Sequence, residues 1–119
     1  LSAKRITLSL TVKLNLFVKI ERGMLKMIIG SCEVTFHADW VTSLKEKRMV
    51  VKSLVDKTRH KFNVSVAEVD CQDQHKIIVI GFACVTNEKR QADSIIQHIL
   101  RFMEQNTEAE MISVEFEVF

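Results

Sequence analysis

Residues 43–70 read SLKEKRMVVKSLVDKTRHKFNVSVAEVD, and this stretch decides the fold. Ser43 and Glu46 have the S-x-x-E spacing of a capping box, in which a hydroxyl and a carboxylate satisfy amides at a helix start. Leu44, Val51, Leu54, Val55 and Phe62 then recur at helical spacing and would face a core. At Asn63 the period changes. Phe62, Val64 and Val66 alternate with Asn63 and Ser65, which is the period of a half-buried strand. A helix that runs straight into a strand is half of a split βαβ unit.

Working outward, the same grammar repeats. Upstream, Ile28, Gly30, Cys32, Val34 and Phe36 alternate with Ile29, Ser31, Glu33, Thr35 and His37, giving a first strand. Downstream, Gln72-Asp73-Gln74 reads as a polar turn, and Ile77 to Val85 is a nearly continuous apolar run suited to a central strand. Asn87 can cap a second helix whose buried stripe is Ala92, Ile95, Ile96, Ile99, Leu100 and Met103. Asn106 and Thr107 end it. Ile112, Val114, Phe116 and Val118 alternate with Ser113, Glu115 and Glu117 as a last strand.

The order is βαββαβ. With right-handed crossovers it predicts an α+β, ferredoxin-like sandwich, a four-stranded antiparallel sheet with both helices on one face and strand order 4-1-3-2. The 119 residues suffice for one domain and one core. The domain is expected to span residues 27–119.

Residues 1–26 form an N-terminal extension. Ile6 to Ile20 alternates strictly between apolar and mostly polar residues. A secretory signal fits badly, because Lys13, Asn15 and Lys19 interrupt the apolar run. Three readings stand: an extra strand on an outer sheet edge, a sticky tail, or an upstream start-site artefact with Met27 as the native start. Leu1 is what literal translation of a UUG start gives. Glu21-Arg22-Gly23 can be encoded by a purine run resembling a ribosome-binding site, so the artefact is the expectation.

Composition excludes several classes. Apolar residues make up 47% and charged residues 27%, the balance of a globular domain. No apolar run reaches the ~18 residues of a membrane helix. The three cysteines, Cys32, Cys71 and Cys84, have no CxxC or metal-like spacing, and two lie in apolar strands; they read as reduced thiols in a cytoplasmic protein. His37, His60, His75 and His98 lie on separate elements without metal-ligand spacing. Cys71 and His75 share a turn, but no orienting third group or oxyanion site accompanies them. No Gly-rich phosphate loop, cofactor motif or small-molecule substrate site is evident, and the chain is not expected to be an enzyme.

Charge is the informative property. The formal net charge is +2, yet residues 43–61 carry Lys45, Lys47, Arg48, Lys52, Lys57, Arg59 and Lys61 against Glu46 and Asp56. At 100° per residue, Lys45, Arg48, Lys52 and Arg59 fall within about 60° of arc, opposite the apolar face. Such a stripe suits the phosphates of a nucleic-acid backbone, although Asp56 dilutes it and a solvated helix face would look the same. Trp40, in the loop before the helix, is either a lid on the helix N-terminus or an aromatic placed to stack a base. The open sheet face would carry Ser31, Glu33, Thr35, Glu115 and Glu117, an acidic surface that repels RNA, with Ile29, Val69 and Met111 as apolar parts suited to protein contact.

SLKEKRMVVKSL at 43–54, FNVSVAEVD at 62–70 and GFACVTN at 81–87 together resemble the YlxP-like family, a bacterial domain of unknown function. The resemblance covers Met27 to Phe119. It implies a small cytoplasmic bacterial protein with a ferredoxin-like fold, whose genes commonly neighbour those for translation initiation and ribosome maturation factors. The family has no established catalytic residues to carry over. The Cys71–His75 turn departs from the family, which often has apolar residues there. The expectation is a non-catalytic accessory factor that binds ribosomal RNA or a ribosomal subunit through Lys45, Arg48, Lys52, Arg59 and Trp40. The alternative is a protein-interaction module that forms a weak homodimer, or docks, through a sheet edge or the open sheet face.

Overall fold

The computed structural model describes residues 26–119. The readings of residues 1–25 lie outside the described residues. The elements are β1 (Ile28–His37), α1 (Leu44–Lys61), β2 (Ser65–Asp70), β3 (Ile77–Thr86), α2 (Lys89–Gln105) and β4 (Glu110–Val118). The strands form one sheet in the order β2-β3-β1-β4, every neighbouring pair antiparallel. This is the expected ferredoxin-like topology. Helix α1 packs on β2 and β3, and α2 packs on β1, β3 and β4.

The core lies between sheet and helices. Phe36, Ile78, Ile80, Ile96, Ile99 and Met103 are fully buried, and each stabilises the fold by about 1.5–3 kcal/mol relative to exposure. The rings of Phe62 and Phe102 meet edge to face at 5.4 Å and join the two helices.

The cap of α1 forms. The amide of Glu46 donates to Ser43 Oγ at 3.1 Å, while Glu46 Oε1 accepts from the amide of Thr42 at 2.9 Å. The carboxylate thus closes the box one residue further upstream than the simplest reading. The expected Asn87 cap does not form. Glu88 is the N-cap of α2 and makes no side-chain cap bond. The start is tied instead by Thr86 Oγ1 donating to Gln91 Oε1 at 2.7 Å. Strand β2 begins at Ser65 rather than Phe62, because Phe62 ends α1 and its amide donates to Thr58 O at 2.9 Å.

Two register breaks move side chains between faces. The β1–β4 register shifts between Thr35 and Phe36, so Met111 stands opposite Phe36 and packs on the core. The expectation that Met111 belongs to the open face is therefore corrected. A bulge inserts one residue and reverses alternation beyond it, and here Ile112 is the displaced residue, 51% exposed. In β2 the shift falls between Glu68 and Asp70. Glu68 stays on the helix side opposite Ile80, and Val69 folds over Gly81 on the open face. A Cβ at Gly81 would lie 2.9 Å from a Val69 methyl, which is why glycine is needed there.

Candidate nucleic-acid interface

Helix α1 divides its basic residues into two groups. Lys45, Arg48, Lys52, Lys57, Arg59 and Lys61 are exposed. Lys47 is completely buried. Its Nζ pairs with Glu68 Oε2 at 2.9 Å and donates to Cys71 O at 2.5 Å. It locks α1 to the end of β2, where Cys71 adopts the left-handed backbone conformation with φ 55°. The Cys71 amide donates to Asp70 Oδ1, and its carbonyl also accepts from the Gln74 amide at 3.1 Å. Lys47 is therefore part of the fold and not of any polyanion surface. The sequence carried the signal: residues 47, 51, 54 and 58 lie on one helical face, and 51, 54 and 58 are buried too.

The four stripe residues also divide. Lys45 and Arg48 are exposed and make no ion pair among the described residues. Lys52 pairs with Asp56 Oδ2 at 2.8 Å. Arg59 lies 3.6 Å from Asp56 Oδ1 and donates from Nη2 to Val66 O at 3.0 Å. The hydrogen bond from Lys52, reinforced by the positive charges of Lys52 and Arg59, holds the Asp56 carboxyl below its ordinary range. Asp56 thus occupies two of the four cations. Arg59 also covers a carbonyl of β2, an edge strand whose unpaired groups otherwise invite pairing. Lys61 sits over the Phe102 ring, 5.9 Å from its centre.

Trp40 is 44% exposed. It sits in the turn Ala38–Val41, closed by the Val41 amide donating to Ala38 O at 3.2 Å. Ala38 and Val41 are fully buried. From the residue that continues the β1–β3 ladder opposite Ala38, Lys76 Nζ donates to Asp39 O at 2.5 Å and to Val41 O at 2.9 Å. The frame is fixed and the indole projects from it, three residues before the cap of α1.

The opposite face of the sheet has the reverse charge. Register places Glu33 opposite Glu115 and Ser31 opposite Glu117, with all three glutamates exposed. Between them and Val69 lies a shallow depression of about 460 Å³ floored by Ser31, Ala67, Gly81 and Ala83. Edge strand β4 exposes Ile112, Val114 and Phe116. Burial, and then the charge of Glu33, push the Cys32 thiol up to about 11. Among the described residues no group of three or more His, Cys, Asp or Glu could hold a metal ion, and no helix is long and apolar enough to cross a membrane.

A family profile described as "Protein of unknown function (DUF503)" matches residues 29–116. The chain belongs to the DUF503 family. Uncharacterized protein YlxP of Bacillus subtilis (strain 168) is 35% identical over 77 residues, which covers 65% of this chain and 84% of that protein. The YlxP-like resemblance read from residues 43–87 is therefore a true relationship. Among solved structures, the de novo designed protein Foldit4 aligns with a TM-score of 0.46 at 13% identity, covering 78% of this chain and 96% of its own. The de novo designed protein LFR1 1 with ferredoxin fold aligns with a TM-score of 0.47 at 17% identity, covering 76% and 83%.

Proposed function

We propose that this DUF503 protein is a non-catalytic, cytoplasmic accessory factor of translation or ribosome maturation that binds ribosomal RNA or a ribosomal subunit through α1. The observation that supports this reading is the separation of charge. The exposed side of α1 carries six cations, and the far face of the sheet carries Glu33, Glu115 and Glu117. A polyanion is attracted to one face and repelled by the other, which orients it before contact. Lys45 and Arg48 are the leading phosphate contacts because no carboxylate among the described residues engages them. Lys52 and Arg59 contribute after exchanging Asp56 for phosphate. Lys and Arg placed this way neutralise phosphates without reading base sequence. The test is comigration of the endogenous protein with a ribosomal subunit on a gradient. Association at low salt that is lost at high salt supports the proposal. Sedimentation only with free protein at both salts rejects it.

A second reading has its own observation. Among the described residues one edge of strand β4 is unpaired, with Ile112 at 51%, Val114 at 38% and Phe116 at 46% exposure, and the strand contains neither Pro nor Lys to discourage pairing. This reading is a weak homodimer formed through that edge or the adjoining sheet face. Light scattering over a concentration series tests it, and a monomer throughout rejects it.

A further inference from the structure

We infer that Trp40 is a stacking platform for one unpaired base, so that α1 binds single-stranded RNA in preference to a duplex, which meets only its cations. The inference rests on the reading that α1 binds RNA phosphates, and it narrows that reading to one class of RNA.

Three observations carry it. First, the indole is held out by construction. Its neighbours Ala38 and Val41 are fully buried, and the carbonyls of Asp39 and Val41 are both clamped by Lys76. A large aromatic ring left 44% exposed in a turn this constrained loses little further freedom when a planar partner covers it. Second, the platform lies in the loop that leads into Lys45 and Arg48, which make no ion pair among the described residues. The amide of Thr42, two residues after Trp40, is bonded to Glu46, which lies between Lys45 and Arg48 in the sequence. The loop and the first turn of α1 are therefore one rigid piece. Third, local charge favours a base over a phosphate at the ring. Asp39, immediately before Trp40, is exposed and repels phosphate, whereas a neutral base face can lie on the indole. Bases inside a duplex are already stacked on one another, so only an unpaired base can use this surface. Stacking of this kind is tolerant of sequence, because every base has a π face.

The chain offers a direct readout. It has one tryptophan and no tyrosine, so its intrinsic emission reports Trp40 alone. The full-length protein is titrated with a short dye-labelled oligoadenylate and with a blunt RNA duplex of the same length. Dye anisotropy measures binding, and tryptophan emission measures contact at Trp40. The expected result is that oligoadenylate quenches the emission in step with binding, and that Trp40→Ala weakens its binding at least about fivefold while leaving duplex binding unchanged. Trp40→Phe, which keeps a ring, retains most of the affinity and serves as the test if the alanine variant does not fold. Oligoadenylate binding with unchanged emission, or equal loss of both RNAs in Trp40→Ala, overturns the inference and leaves phosphate binding by α1 standing. Failure of the wild type to bind either RNA overturns both.

Discussion

Lys47 is the one basic residue of α1 whose removal should damage the fold and not RNA binding. Lys47→Met keeps the aliphatic stem and deletes the ammonium. Glu68 Oε2 then loses its partner at 2.9 Å, and Cys71 O keeps only the bond from Gln74. Breaking one side of a buried ion pair costs about 3–5 kcal/mol, mostly from the charge left behind. Glu68 retains 17% side-chain exposure and can turn partly toward water, which places the cost near the lower bound, about 3 kcal/mol. For a domain of this size each kcal/mol moves the midpoint by roughly 4–8 °C, so the Tm should fall by about 12–24 °C. Replacing both partners, as Lys47→Met with Glu68→Leu, removes the stranded carboxylate and should recover most of the loss. Thermal unfolding followed by circular dichroism, with urea titration for the free energies, is the assay. A single variant within about 0.5 kcal/mol of wild type, or a double variant no better than the single, would refute the assigned role.

Asp56→Asn should strengthen RNA binding by a few fold, because it frees Lys52 and Arg59 and removes an exposed negative charge beside them; a titration that finds equal or weaker binding contradicts the competition described. The Cys32 thiol, raised to about 11 by burial and by Glu33, stabilises the fold in its neutral form. That contribution is complete below the unfolded thiol's range, near pH 9, and is lost as pH rises through 11. About 1.4 kcal/mol should be gone by about pH 10, and urea unfolding of wild type and Cys32→Ala at both pH values should differ by that slope. A chain beginning at Met27 should fold with an unchanged Tm, since the described sheet and core start at Ile28; a Tm lowered by more than about 5 °C would count against residues 27–119 as the whole domain.

The architecture was legible because Ser43, the helical spacing of Val51, Leu54 and Val55, and the alternation in four strands all agree with one topology. The departures have local physical causes. Alternation in β4 gives no sign of an extra residue, so Met111 and Ile112 exchange roles only when the register with Thr35 and Phe36 is known. The bulge at Val69 is hidden for the same reason, although Gly81, which pairs with Ala67 and lies beneath the Val69 side chain, is a hint. The burial of Lys47 is not legible from its charge, because lysine is seldom buried and its partners Glu68 and Cys71 lie outside α1. The stripe itself was legible, as was its dilution by Asp56. The outward placement of Trp40 was not. It depends on Lys76, 37 positions after Asp39, and no local pattern connects them.

The binding reading meets its most direct test in a titration of RNA, or of small ribosomal subunits, at two salt concentrations with wild type and with Lys45→Glu combined with Arg48→Glu. Both side chains are exposed and make no ion pair among the described residues, so the double reversal should leave the Tm unchanged. The wild type should bind tightly at low salt and weaken steeply as salt rises. The double variant should lose at least about tenfold at low salt, with a salt dependence flatter by roughly one unit of slope for each lost contact. Equal affinity and equal slope for the two proteins would make the basic stripe of α1 a solvated helix face and would contradict the proposed function.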